Sequence, residues 1–342
     1  MAGSVRSQLR VTRKQILAFR RRVGALDARL PKSTKSLRHA AWAGLQDSMP
    51  RAALLSLHAR VEGVEPSTWE HPSLAQLWGP RYQVYVVPKR DFALFSLARL
   101  PEDGKSRLRA EQMAKKLHAH LRGRRLTDRE TGSALGIGNE LRYATTTGTI
   151  AIRWGGARAP ELWTVPAAEI DPADARRELT RRYLHVFGPA TADGFARWAG
   201  ISRRSAADAF ASLEGSLLPV RSPLGDAWLL AEDESAIREA AETPAPVRLL
   251  PSGDAYFLLW GADREMLVPR RDQRERLWTS RVWPGAVLVE GEIRGTWRRA
   301  QHKMQIDAWA RLSRERREAI EAEARALPIP SLDRPIEVVW EA

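Results

Sequence analysis

The stretch TADGFARWAGISRRSAADAFASL, Thr191 to Leu213, decides the fold. Thr191 to Trp198 and Ser202 to Leu213 both have helical spacing, and the tripeptide Ala199-Gly200-Ile201 between them is too short and too glycine-dependent to be anything but a tight turn. Two short helices joined by such a turn form a helix-turn-helix, a motif that docks on DNA. Just downstream, Leu217–Val220 and Ala227–Leu230 predict a β-hairpin around Pro223 and Gly225, and upstream Asp171 to Phe187 predicts a longer helix. Helix, helix, helix, hairpin is the order of a winged helix.

The same order recurs twice toward the N-terminus. Arg107 to Leu121 is amphipathic, Thr127 to Glu130 reads as a capping box, Gly136 to Tyr143 predicts a short helix, and Thr149–Trp154 with Glu161–Val165 predict a hairpin. Earlier still, Thr12-x-x-Gln15 is a second capping box before a first helix; Leu37 to Leu45 and Pro50 to Val61 predict two more, and Gln83 to Pro88 (QVYVVP) is β-like. After Thr243 to Val247 (TPAPV), read as a linker, the chain turns β-rich at Arg248–Leu250, Tyr256–Trp260, Ala286–Val289, Glu292–Trp297 and Ile336–Trp340, with one helix expected over Asp307 to Leu327. The expected fold class is therefore α+β: three tandem winged-helix domains over 1–100, 101–168 and 169–245, then a β-barrel-like domain over 246–342.

Composition fits a DNA partner. The 342 residues carry 55 Lys and Arg against 41 Asp and Glu, a net charge of +14 that favours a polyanion, although only eight of the basic residues are lysine. No apolar run approaches the roughly 20 residues of a membrane span, and the N-terminus alternates charged with apolar residues, so no membrane partner and a cytoplasmic, nucleoid-associated location are expected. Zero cysteines exclude disulfides, thiolate nucleophiles and Cys-ligated metals. His118-x-His120 points its rings to different helix faces, so neither a metal nor a cofactor is expected.

Four segments, GLQDSMPRAALLSLHARV (44–61), WGPRYQVYVVPKRD (78–91), VRLLPSGDAYFLL (247–259) and LVEGEIRGTW (288–297), resemble the winged-helix DNA glycosylase family of AlkZ and YcaQ in order and spacing, over nearly the whole chain. The resemblance implies three winged helices and a β-barrel arranged as a C-shaped clamp on double-stranded DNA, and excision of N7-alkylated purines, crosslinked ones included. It also implies a catalytic motif of glutamine, an aliphatic residue, then glutamine or aspartate. The matching positions here are Gln46, Asp47 and Ser48, so Asp47 replaces the aliphatic residue and Ser48 the second polar one.

The chemistry is compatible with those side chains. An N7-alkylguanine is already cationic and leaves without a proton, so the enzyme must stabilise an oxocarbenium ion and hold a water. Gln46 suits the water, Asp47 the negative charge or general base, and Ser48 the water or a phosphate, provided the segment is a loop that turns all three to one face. Helix capping is the plainer reading of Asp47 and Ser48 ahead of Pro50. Scarce lysine and none in this segment speak against lysine attack with strand cleavage, so a monofunctional, monomeric enzyme is expected. Arg51, Arg81, Arg122, Arg124, Arg125, Arg203 and Arg204 are candidate phosphate contacts, and Asp254 either faces the cleft or stabilises a turn. A winged-helix regulator, or a non-catalytic protein that binds adducts, shares the same charge and helix-turn-helix.

Overall fold

The computed structural model of the chain describes residues 8–49, 51–156, 158–240 and 245–341. Pro50, and Thr243 and Pro244 of the expected 243–247 linker, lie outside them. Strand β1 (Leu9–Arg10) leads into helix α1 (Arg13–Val23), which the Thr12/Gln15 capping box starts as expected. Helix α2 (Thr34–Ala40) is capped by Ser33 and ends five residues before the sequence predicts. Then come β2 (Leu45–Gln46), α3 (Ala52–Arg60), and the hairpin β3 (Leu74–Trp78) and β4 (Val84–Pro88). A short α4 (Phe92–Leu97) follows.

The second set is α5 (Gly104–Leu121), β5 (Leu126–Thr127), α6 (Asp128–Leu135) and the hairpin β6 (Ile150–Arg153) and β7 (Glu161–Thr164). In place of the helix expected at Gly136 to Tyr143 stands a tighter 3-10 segment, Asn139–Thr147, whose Thr145, Thr146 and Thr147 hydroxyls bond back to carbonyls three residues earlier. The third set is α7 (Pro172–Phe187), α8 (Ala192–Ala199), α9 (Arg203–Ala211), β8 (Leu217–Ser222), β9 (Gly225–Leu230) and α10 (Glu234–Arg238). Here the helix-turn-helix is as read. Thr191 and Ser202 cap α8 and α9, and Gly200 takes the left-handed turn position at φ +71°.

The C-terminal part is β10 (Arg248–Leu250), α11 (Ala262–Leu267), α12 (Arg271–Leu277), β11 (Gly285–Val289), β12 (Glu292–Ala300), β13 (Lys303–Ala308), α13 (Arg314–Arg325) and β14 (Glu337–Trp340). Its strands form one open sheet in the order β10-β11-β12-β13-β14, so the expected barrel is not closed. β10 and β14 are its two edges, and β14 lies parallel to β13, a pairing that runs the sheet outward instead of back to β10. Two further expectations fail here. Tyr256–Trp260 is not a strand: Asp254 accepts the Tyr256 N–H and starts a 3-10 turn over Ala255–Phe257. Asp307 and Ala308 belong to β13, and the helix begins only at its Ser313 cap.

Two pairings tie the sets together. β3 meets β6 at Gln76 and Ile152, so the first two hairpins form a single six-stranded sheet, β2-β4-β3-β6-β7-β5. β1 adds in parallel to β8, and α1 packs its Ile16, Leu17 and Phe19 into a core shared with α7, α8 and β9. Tyr85, Phe95 and Leu250 belong to that same core, and Gly200 of the helix-turn-helix lies close to the Arg81 backbone just before β4. Among the described residues no helix is long and apolar enough to cross a membrane.

Candidate active site

Gln46, Asp47 and Ser48 are not brought to one face. Gln46 lies in β2 opposite Tyr85 of β4, and the Asp47 N–H bonds the Val84 carbonyl, which continues the pairing one residue further. Gln46 meets Tyr85 and Ser48 meets Gln83, two residues apart on the facing segment, whereas Asp47 turns to Ala53 and Gln76, so Gln46 and Ser48 share one side and Asp47 takes the other. The expectation of three convergent side chains is corrected by Asp47, which turns to Ala53 and Gln76.

On the first side, the Gln46 amide is oriented through its oxygen. Arg81 donates to Oε1 at 2.8 Å and the Tyr85 hydroxyl at 3.4 Å. Burial pushes the Tyr85 phenol above its ordinary range, against the opposing pull of Arg81, so it keeps the proton it donates. With the oxygen taken, the amide NH2 lies against Gly253, where a Cβ would stand 2.8 Å from Nε2 and where φ is +75°. Two residues along the ladder, Ser48 Oγ donates to Gln83 Oε1 at 3.0 Å. Ser48 keeps its lone pairs for an incoming donor.

On the second side, Asp47 is 2% exposed. Oδ1 accepts the N–H of Ala53, in the first turn of α3, at 3.0 Å, and Oδ2 accepts Gln76 Nε2 at 2.9 Å. The helix-capping part of the sequence reading thus falls to Asp47 and not to Ser48. Burial raises the Asp47 carboxyl to about 6, against the lowering effect of the Ala53 N–H, the Arg51 charge and Gln76.

Asp254 is buried and does not face a cleft. It pairs with both guanidinium nitrogens of Arg60, at 2.7 and 2.8 Å, and accepts the Ser56 hydroxyl at 2.6 Å. That clamp fixes the Pro251–Asp254 turn on α3 and so sets Gly253 beside Gln46.

The candidate phosphate contacts divide. Arg81 is spent internally: it bridges the Trp198 carbonyl at 2.6 Å and Gln46, with its guanidinium 4.6 Å from the Trp260 ring. Arg51 bonds the carbonyls of Trp154 and Gly155 and lies 3.4 Å over Trp69. Arg122 and Arg124 turn back to the last carbonyls of α5. Arg125 stacks on Trp163, while Arg203 and Arg204 at the start of α9 stay exposed, their nearest carboxylates 3.7 and 3.9 Å away. The sequence reading missed Gln83, Tyr85, Gln76 and Gly253, because cross-strand neighbours follow from register, and neither β2 nor β3 is marked by a run long enough to show it. Among the described residues no three His, Cys, Asp or Glu side chains converge as a metal site would require.

The turn of the helix-turn-helix motif thus lies close to the Arg81 backbone, and Arg81 links it to the Gln46 amide, with the Ser48 hydroxyl two residues further on. The sequence profile of the AlkZ-like DNA glycosylases matches residues 37–328, and the chain belongs to that family of DNA-repair enzymes. In fold it is similar to the Streptomyces sahachiroi DNA glycosylase AlkZ, with a TM-score of 0.78 and 17% identity over 97% of this chain and 100% of that one. No curated protein matches it in sequence.

Proposed function

We propose that this glycosylase hydrolyses the N-glycosidic bond of bulky, cationic N7-alkylguanine adducts in double-stranded DNA. The observation that supports this most is the shared side of Gln46 and Ser48, with the Gln46 amide already oriented by Arg81 and Tyr85. Gln46 offers its NH2 and Ser48 its lone pairs to one water, which attacks the anomeric carbon as the sugar becomes an oxocarbenium ion and releases its proton to solvent. The leaving guanine takes the bonding electrons, neutralises its own charge and needs no general acid. Asp47 acts from behind the strand as a positioning residue, holding the turn into α3 and the level of Ser48. No lysine lies at this segment, in keeping with hydrolysis without strand cleavage.

The three helix-plus-hairpin sets are read as winged helices closing, with the C-terminal sheet, a C-shaped clamp around the duplex as a monomer. Arg203 and Arg204, exposed on α9, supply backbone contacts. The altered Gln46-Asp47-Ser48 motif suits a specialised member guarding its host against a DNA-alkylating natural product. Incubation with duplexes carrying a methyl, a bulky or a crosslinking N7-guanine adduct, with free base as readout, tests the substrate. Release of the bulky adduct is expected, and release of none of the three refutes the proposal. A deletion strain no more sensitive to such agents refutes the protective role alone.

A further inference from the structure

The protein surface has a strongly cationic region away from the Gln46–Ser48 face. One groove of about 300 Å³ is lined by Lys35, Arg38, His39, Trp42, Arg90 and His185, with no carboxylate among them. A second, of about 550 Å³ along the shared six-stranded sheet, includes Arg90 again and adds Lys89, Arg125 and Arg153, against Glu70 as its one lining carboxylate. Glu70 is already paired with Arg153 at 2.9 Å. The two grooves meet at Arg90, so the surface is continuous.

Most of this charge is uncompensated. Among the described residues Lys35 and Arg38 make no ion pair, and the carboxylate nearest Arg90 is Asp91 at 3.9 Å, which Arg182 already holds at 2.8 Å. Burial, then the charges of His185 and Lys35, hold the His39 imidazole below its ordinary value. A third cavity of about 760 Å³ between α5 and α9 makes a useful contrast. Its arginines face Glu102, Asp103 and Asp208, and Arg176 is paired with Glu102. It has no comparable excess of charge.

The aromatic residues decide what kind of ligand fits. Arg125 lies 4.4 Å over Trp163, and Trp42 carries the guanidinium groups of Arg181 and Arg182 at 5.0 and 5.1 Å and the edge of His185. The cations over Trp42 are spent, Arg181 on Glu178 and Glu232 and Arg182 on Glu178, Asp91 and the Trp42 carbonyl, whereas Arg125 over Trp163 makes no ion pair among the described residues and offers its N–H edges to an anion. We propose that these two grooves form a phosphate track that grips the DNA sugar-phosphate backbone outside the catalytic face, independent of base sequence. The track rests on the reading of the chain as an enzyme acting on double-stranded DNA. Its occupant is the duplex flanking the lesion, because the two grooves join at Arg90 into one continuous cationic surface on the same chain as the site.

The test compares the wild-type chain with the triple variant Lys35→Ala, Arg38→Ala, Arg90→Ala, and with Arg90→Glu as a single change, on lesion duplexes of about one and about three helical turns. Each phosphate left without its cation should flatten the slope of log K against log salt by about 0.9, so the triple variant should be shallower by roughly 2 to 3. A flattening confined to the long duplex identifies the flank. Two short duplexes bound by the wild type and one by the variant would put a second duplex in the grooves and overturn the assignment to the flank. Equal slopes and equal stoichiometry for all three proteins on both duplexes overturn the track. Base release by the wild type is scored separately: release with equal slopes leaves the enzyme reading standing without the track, and a changed slope without release does the reverse.

Discussion

Asp47→Asn keeps the size of the side chain and removes its titration, which makes it a test of the buried carboxyl. Burial lifts the Asp47 pKa from its ordinary 3.8 to about 6 in the folded chain. An acid whose folded value lies above its unfolded value favours folding when protonated: that contribution is complete below the unfolded value and is lost as pH rises through the folded one. At about 1.4 kcal/mol for each pH unit between them, the loss is about 3 kcal/mol. Urea unfolding followed by tryptophan fluorescence at a series of pH values should therefore show the wild type's advantage over Asp47→Asn shrinking by about that much from about pH 4 to about pH 7. A gap that stays constant, or widens as pH rises, would refute the burial-dominated environment and mean that the Ala53, Arg51 and Gln76 partners outweigh desolvation. Because Asp47 lies behind the strand, single-turnover base release by Asp47→Asn should fall less than by Gln46→Ala.

Ser48→Ala removes a face hydroxyl and no cap, so base release should slow by about tenfold or more with little change in melting temperature, which stopped-flow or quench kinetics with a thermal melt will show. Asp254→Ala strands the Arg60 guanidinium in the core and should cost about 3 to 5 kcal/mol by denaturant titration. Gly253→Ala pushes on the Gln46 amide from a backbone position with φ +75°, so base release should drop while DNA affinity, read by anisotropy, holds. Gly200→Ala places a Cβ 2.9 Å from the Arg81 nitrogen at φ +71° and should cost about 1 to 2 kcal/mol or more in a thermal melt.

The sequence was most legible where the determinants are local. The Thr12 and Thr127 capping boxes and the Gly200 turn each specify their own local structure within four residues and stand where they were read; the caps at Thr191 and Ser202, equally local, open the two helices read from there. The Glu290-Gly291 hairpin is equally local, with both residues at positive φ. Apolar runs misled where burial has no period. Tyr256–Trp260 looks like a strand because its first four residues are all buried, yet Asp254 turns it. Barrel closure depends on where β14 pairs, and no local residue sets that. At the candidate site the residue types were readable and their sides were not. A strand of two residues has no visible alternation, and only its register on Tyr85 and Gln83 shows that Gln46 and Ser48 face together while Asp47 turns inward. Arginines, at 47 of 55 basic residues, gave no means of telling those spent on carbonyls from those left open.

The most direct measurement is the release of free base from a duplex carrying one bulky N7-alkylguanine, under single-turnover conditions, by the wild type and by Gln46→Ala. The wild type should release the adducted base and leave an abasic site in an uncut strand, and Gln46→Ala should be slower on the order of a hundredfold while binding the same DNA. Equal rates for the two proteins, or strand cleavage coupled to base release, would contradict a water held by the Gln46–Ser48 face.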